Sequence, residues 1–210
     1  MMASLYSFKV SLGFGLHTGW AIEGSIGSKV KVDASYLSPH VNLASRLETA
    51  TKYYGVPLLM SNNFVSGLTG LMQSTCRRVD KVTFKGSIEA MTIYHQDGEP
   101  DQNLAKRPDD YAELMTATSW EDENEIKSLR IDFEGMRQAL QSDKKLLIRE
   151  VYDTAFNAYI DGEWDKSKVI FHLWLEKFPG DVIVQVIVKY LKSYDFKCPR
   201  NWSKHELQAK

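Results

Sequence analysis

The chain is poor in the residues that would tie it to a metal, a membrane or an oxidising compartment. Only two cysteines, Cys76 and Cys198, occur in 210 residues. They lie far apart and match no metal-ligand spacing, which points to reduced thiols and a cytoplasmic setting rather than a disulfide framework. The five histidines (His17, His40, His95, His172 and His205) lack the HxxxH or HxH spacing that places two imidazoles on one ion, so no zinc site is expected. No apolar run approaches the roughly 20 residues of a membrane span, and the N-terminal MMASLYSFKVSLGFG has no basic leader. This chain therefore has no membrane segment of its own, although it is equally suited to be the cytoplasmic part of a larger membrane protein. Net charge is nearly absent: 26 basic side chains face 27 acidic ones. Without an overall field, nucleic acid is an improbable partner.

What is present is ordinary globular material, 43% apolar and 11% aromatic, enough for one or two compact domains. Phe8–His17 and Gly19–Gly24 read as strands across a short break, and Lys29–Leu37 as a third strand with Val30 and Val32 on one face. Ser38 is a good N-cap and Pro39 suits the first helical position. Leu43, Leu47, Ala50 and Tyr54 then follow at helical spacing until Gly55 stops the run. Pro57–Met60 reads as a strand, and Ser61 as the cap of a second helix reaching Leu71. Thr75–Phe84 and Glu89–Tyr94 read as strands joined at Lys85-Gly86. The pattern to this point, residues 1–97, is mixed α+β.

Between Gln96 and Glu125 ten acidic residues accompany two basic ones, with Gly98, Pro100 and Pro108 among them. That composition is a solvated linker, assigned to 98–145 together with a partly helical segment from near Ile126. Residues 146–210 form a helical tail: a hairpin broken at Asp161-Gly162 and closed by Pro179-Gly180, a helix over Val182–Tyr194, and a polar, basic end. The hairpin looks like one tetratricopeptide-type unit without a second copy. Trp164, Phe171, Trp174 and Phe178 read as its core, with a partner surface as the rival reading.

Asn42 and Arg46 stand four apart on the first helix, on one face, with no acidic residue three or four positions from Arg46. The strings GLHTGWAIEGSIGS, KVDASYLSPHVNLASRLETATKYYGVPLLMS and RRVDKVTFKGSIEAMTIY, over Gly13–Tyr94, resemble the C-terminal half of class III adenylyl and guanylyl cyclase catalytic domains, in variants most like those of protists. The resemblance implies part of a ferredoxin-like α+β domain, converting ATP (or GTP) to a 3′,5′-cyclic nucleotide and pyrophosphate at a site shared with a second cyclase domain or protomer. In that family the asparagine of VN-x-A-x-R orients the ribose and the arginine meets charge developing on the α-phosphate. Here those residues are Asn42 and Arg46. The residue types suit an in-line displacement at phosphorus, where a permanently charged planar guanidinium and a neutral directing amide are both useful.

Seven residues before the asparagine, Ser35 falls on the family's purine-reading position and favours adenine over guanine, since guanylyl cyclases usually carry cysteine there. Lys85 matches the first lysine of a KGK turn that approaches the triphosphate, whereas Ser87 replaces the second. Two aspartates that hold Mg2+ or Mn2+ in the family precede the G-x-H-x-G strand, and the resemblance places them upstream of this chain. The implied function is thus an adenylate cyclase half-site. Guanylate cyclase chemistry and an inactive half-domain regulating a complete partner are the alternatives. A dinucleotide-binding reading from Gly13 and Gly15 fails because the third glycine and the following helix are absent.

Overall fold

The structure is a computed structural model, and it describes residues 11–85, 89–97, 132–141, 145–200, 202 and 205–207. The chain divides into two compact units, Met1–Asp97 with Glu206–Lys210, and Gly98–His205. Each is taken by itself.

In the first unit, β1 (Phe14–Leu16) pairs in parallel with β4 (Leu58–Ser61), β4 pairs antiparallel with β6 (Met91–Gln96), and β6 with β5 (Cys76–Phe84). A short strand, β7 (His205–Leu207), completes the order β1-β4-β6-β5-β7. A separate two-stranded ribbon joins β2 (Ile22–Gly27) to β3 (Val32–Leu37). Helix α1 (Pro39–Tyr54) packs on β1 and β4, and buries Leu47, Ala50, Thr51 and Tyr54.

The ends of α1 follow from single residues. The Ser38 hydroxyl accepts from the His40 amide at the N-terminus, Pro39 starts the helix, and Gly55 closes it at φ 66. The expected second helix is instead two short ones, α2 (Asn62–Ser66) and α3 (Gly70–Ser74). Gly67 ends the first because glycine propagates a helix poorly, and Thr69 caps the second through its hydroxyl to the Met72 amide. The ribbon also differs from expectation, running three residues later on its first strand and starting at Val32 on its second. Every β2 residue and all of β3 except Ser35 are exposed, so no alternation of buried and open positions marks its limits.

A bulge interrupts the β5–β6 register between Arg78 and Asp80, and both Val79 and Asp80 turn inward. Asp80, 1% exposed, accepts the Tyr54 hydroxyl at 2.7 Å, which fastens the C-terminal end of α1 to the sheet.

In the second unit, α4 (Phe133–Gln141) packs against α5 (Lys145–Ile160) and α6 (Trp164–Lys177), and α7 (Val182–Lys192) packs on α6. Leu140 is buried, so the segment before residue 145 contributes to this core; residues 98–131, the acidic stretch, lie outside the described residues. Gly162, at φ 82, makes the turn between α5 and α6. Trp164, Phe171 and Trp174 are buried and Phe178 is half-buried, as expected of core rings rather than a partner surface. The tail also carries β7, which sequence reasoning missed.

Candidate nucleotide site

The site residues nominated above fall on the β3–α1 unit, apart from Lys85. Ser35 is half-buried on β3 and pairs across the ribbon with Gly24. Directly opposed residues share a face, so Ile22, Gly24, Ile26, Asp33 and Leu37 line the same side of the ribbon as Ser35. A side chain at Gly24 would meet nothing within 4 Å, which leaves the space before the Ser35 hydroxyl open. Three residues after Ser35 the Ser38 cap turns the chain into α1.

At roughly 100° per residue, Asn42 and Arg46 share one stripe of α1 beside, not within, the buried ridge of Leu47, Ala50, Thr51 and Tyr54. Asn42 is exposed and Arg46 half-buried. Among the described residues no carboxylate pairs with Arg46, and no hydrogen bond engages the side chains of Ser35, Asn42 or Lys85. The guanidinium is thus a fixed positive charge beside an amide with unused donor and acceptor capacity. Lys85 is exposed where β5 ends, and residues 86–88 of its turn, Ser87 included, lie outside the described residues. No hydrogen bond or ion pair among the described residues ties Lys85 to the other three.

The glycines of G-x-H-x-G explain how α1 reaches this position. Gly15 on β1 faces the helix backbone so closely that a side chain would overlap Ala44 O and Glu48 N and lie 2.9 Å from Leu47 Cβ. A side chain at Gly19 would overlap the His40 ring. Between them, His17 places Nδ1 2.7 Å from Ser61 Oγ and Nε2 2.8 Å from His40 Nδ1. Sequence reasoning missed this pair because it searched histidines for metal spacing. The available signals were the histidine inside the glycine pattern and the one following Ser38-Pro39.

Comparison with known proteins bears on this segment. No family model matches the chain. An adenylate cyclase of Anabaena cylindrica is 36% identical over 87 residues, 41% of this chain and 17% of the relative. A terminal-differentiation-specific adenylate cyclase of Dictyostelium discoideum is 37% identical over 92 residues, 43% of this chain and 4% of the relative. Adenylate cyclase 1 of Rhizobium meliloti is 36% identical over 81 residues, 39% and 12% of the respective lengths. These similarities support a class III cyclase domain over the matched segment. The cyclase segment spans less than a fifth of each of these relatives. A solved bacterial light-regulated adenylyl cyclase is 28% identical, covering 40% of this chain and 23% of that one, with a TM-score of 0.34, a likeness too partial to specify a fold.

Among the described residues no three histidine, cysteine, aspartate or glutamate side chains stand together as a metal site would require. Nor is any helix among the described residues long and apolar enough to cross a membrane.

Proposed function

We propose that this chain supplies the transition-state half of an adenylate-cyclase-type site within a ferredoxin-like cyclase domain, acting on ATP to give 3′,5′-cyclic AMP and pyrophosphate. The observation that carries the proposal is the pairing of Asn42 and Arg46 one turn apart on a helix fixed at both ends, with the guanidinium engaged by no carboxylate among the described residues. As the 3′-oxygen attacks the α-phosphorus, the bond to the β-phosphate oxygen breaks and negative charge spreads over the α-phosphate. Arg46 is placed to hold that charge and Asn42 to orient the ribose, while the Ser35 hydroxyl reads the adenine edge. Lys85 is assigned to the triphosphate. The metal carboxylates belong to residues other than those described, and no step is routed through them here.

A second cyclase domain is the proposed partner, and the ribbon supports it. On the Ser35 face of the ribbon Ile22, Ile26 and Leu37 are 64, 42 and 58% exposed, apolar surface of the kind that marks interfaces. Helices α4 to α7 are proposed as a small packing module, with the α5–α6 pair as its tetratricopeptide-like hairpin.

The test is a complementation assay. The chain is mixed with a cyclase fragment bearing the two metal aspartates, and cyclic nucleotide is measured with ATP or GTP in magnesium or manganese. Turnover with a preference for ATP is expected from the mixture only. Arg46→Ala should lower it by about 10²-fold or more, the scale for removing one such charge-stabilising donor. A preference for GTP would move the assignment to guanylate cyclase, and no turnover in any mixture would support a regulatory half-domain instead.

A further inference from the structure

Two histidines 23 residues apart in sequence meet at the N-terminal end of α1, and nothing in the nucleotide chemistry above uses them. His17 sits just past β1 and is half-buried; His40 occupies the first turn of α1, on the same side of the helix as Leu47 and Thr51. The rings lie 5.1 Å apart between centroids, 23° from parallel, and share the 2.8 Å contact between His17 Nε2 and His40 Nδ1. The other His17 nitrogen meets Ser61 Oγ, which is 1% exposed and also accepts from the Phe64 amide as the cap of α2. Trp20 stands edge-on to His40 at 5.8 Å, and its carbonyl accepts the Ser38 hydroxyl at 2.5 Å. The pair thus links β1, the end of β4 and the first turn of α1, two residues before Asn42.

The hydrogen-bond inventory of this chain of groups is constrained. A nitrogen–nitrogen distance of 2.8 Å requires one donor and one acceptor. With both rings neutral, two arrangements satisfy it. Either Ser61 donates to His17 Nδ1 and His17 Nε2 donates to His40, or His40 donates to His17 and His17 Nδ1 donates to Ser61. One added proton is also accommodated, because either imidazolium still donates to its neutral partner. A second added proton places N–H against N–H and like charge against like charge.

We propose that His17 and His40 are positioning residues: they latch the first turn of α1, and with it Asn42, onto the end of β1 while they share at most one extra proton, and a second proton releases the latch. The charge inventory leaves the pair to itself. Strands β1 and β4 and helix α2 carry no ionisable side chain, and α1 carries Arg46, Glu48 and Lys52 besides His40, with Tyr53 and Tyr54 at its far end. Glu48 is engaged with Lys52 at 3.5 Å. Burial, and then the neighbouring His40, hold His17 below its ordinary value of 6.5. The sign follows: the unfolded chain binds a proton more readily than this site does. The latch therefore contributes fully above about pH 6.5 and is lost as pH falls through the lower folded value.

The consequence for catalysis rests on the cyclase reading; the latch itself does not, and its test contains no nucleotide. Imidazole nitrogen and backbone amide resonances of the full chain are followed from pH 8 to about pH 5, a range that brackets the ordinary histidine value. The expected result is that His17 is protonated below the usual histidine range, and that the Asn42 amide shifts in the same step. In His40→Asn, whose side-chain amide stands where Nδ1 does but does not titrate, the Asn42 step should disappear and the alkaline position remain. In His40→Ala, Asn42 should hold the acid position at every pH. An Asn42 amide indifferent to imidazole protonation, or an unchanged acid step in His40→Asn, overturns the proposal. Should His40→Ala fail to fold, His40→Asn decides alone. A normal latch combined with no effect of Arg46→Ala on turnover would overturn the cyclase reading and leave the latch standing.

Discussion

Replacing Gly15 by alanine tests how the glycine pattern sets the helix that carries Asn42 and Arg46. The added methyl would overlap Ala44 O and Glu48 N, both backbone atoms of α1, so no side-chain rotation relieves it. Either α1 lifts from β1 or β1 withdraws from β4. Overpacking of this kind costs about 1–3 kcal/mol. A loss of about 2 kcal/mol speeds amide exchange through unfolding of this unit by about 30-fold. The assay is native-state hydrogen exchange at Leu47, Tyr54 and Leu59, all of which are fully buried in the first unit. Gly24→Ala is the control, because its methyl meets nothing and lies on an exposed strand. Exchange as slow in Gly15→Ala as in Gly24→Ala would refute the claim that Gly15 exists to admit the helix.

Further outcomes can be measured directly. Tyr54→Phe removes the hydroxyl that donates to buried Asp80, and should cost about 1.5–3 kcal/mol, as for hydrogen bonds to charged groups; urea unfolding, with a double-mutant cycle against Asp80→Asn, reads it. Gly162→Ala forces a side chain onto φ 82 and to 3.1 Å from Cys198 Sγ, and should lower thermal stability by about 1 kcal/mol or more; an unchanged melting profile contradicts this. Burial pushes His172 down to about 4. The α4–α7 unit should thus keep the contribution of this histidine above pH 6.5 and lose it as pH falls toward 4. Unfolding measured across that window in the wild type and in His172→Asn should show the slope only in the former.

Parts of this architecture were legible in the letters, and the reasons differ by element. Helix α1 was read residue for residue because Ser38-Pro39 and Gly55 are strong local stop and start signals around an unbroken apolar period. The β2–β3 ribbon was misplaced at its edges because both faces are open, and alternation carries boundary information only when one face is buried. The break at Gly67 was visible in principle, but Leu68 and Leu71 continue the helical spacing and masked it. Strand β7 is three residues, His-Glu-Leu, too short to show any period. Asn42 and Arg46 were nominated because the resemblance puts VN-x-A-x-R there, and the single helical turn between them is a local fact. The His17–His40 contact depends on packing between β1 and α1, and no local spacing encodes it.

The central claim is that α1 delivers Asn42 and Arg46 to a nucleotide read by Ser35. It is tested most directly by mapping resonance shifts when a non-hydrolysable ATP analogue is added to the chain paired with a fragment bearing the metal aspartates. The account predicts shifts at Ser35, Asn42 and the Arg46 guanidinium, diminished by Arg46→Ala. Shifts confined to residues 132–200, with those three unmoved, would contradict it.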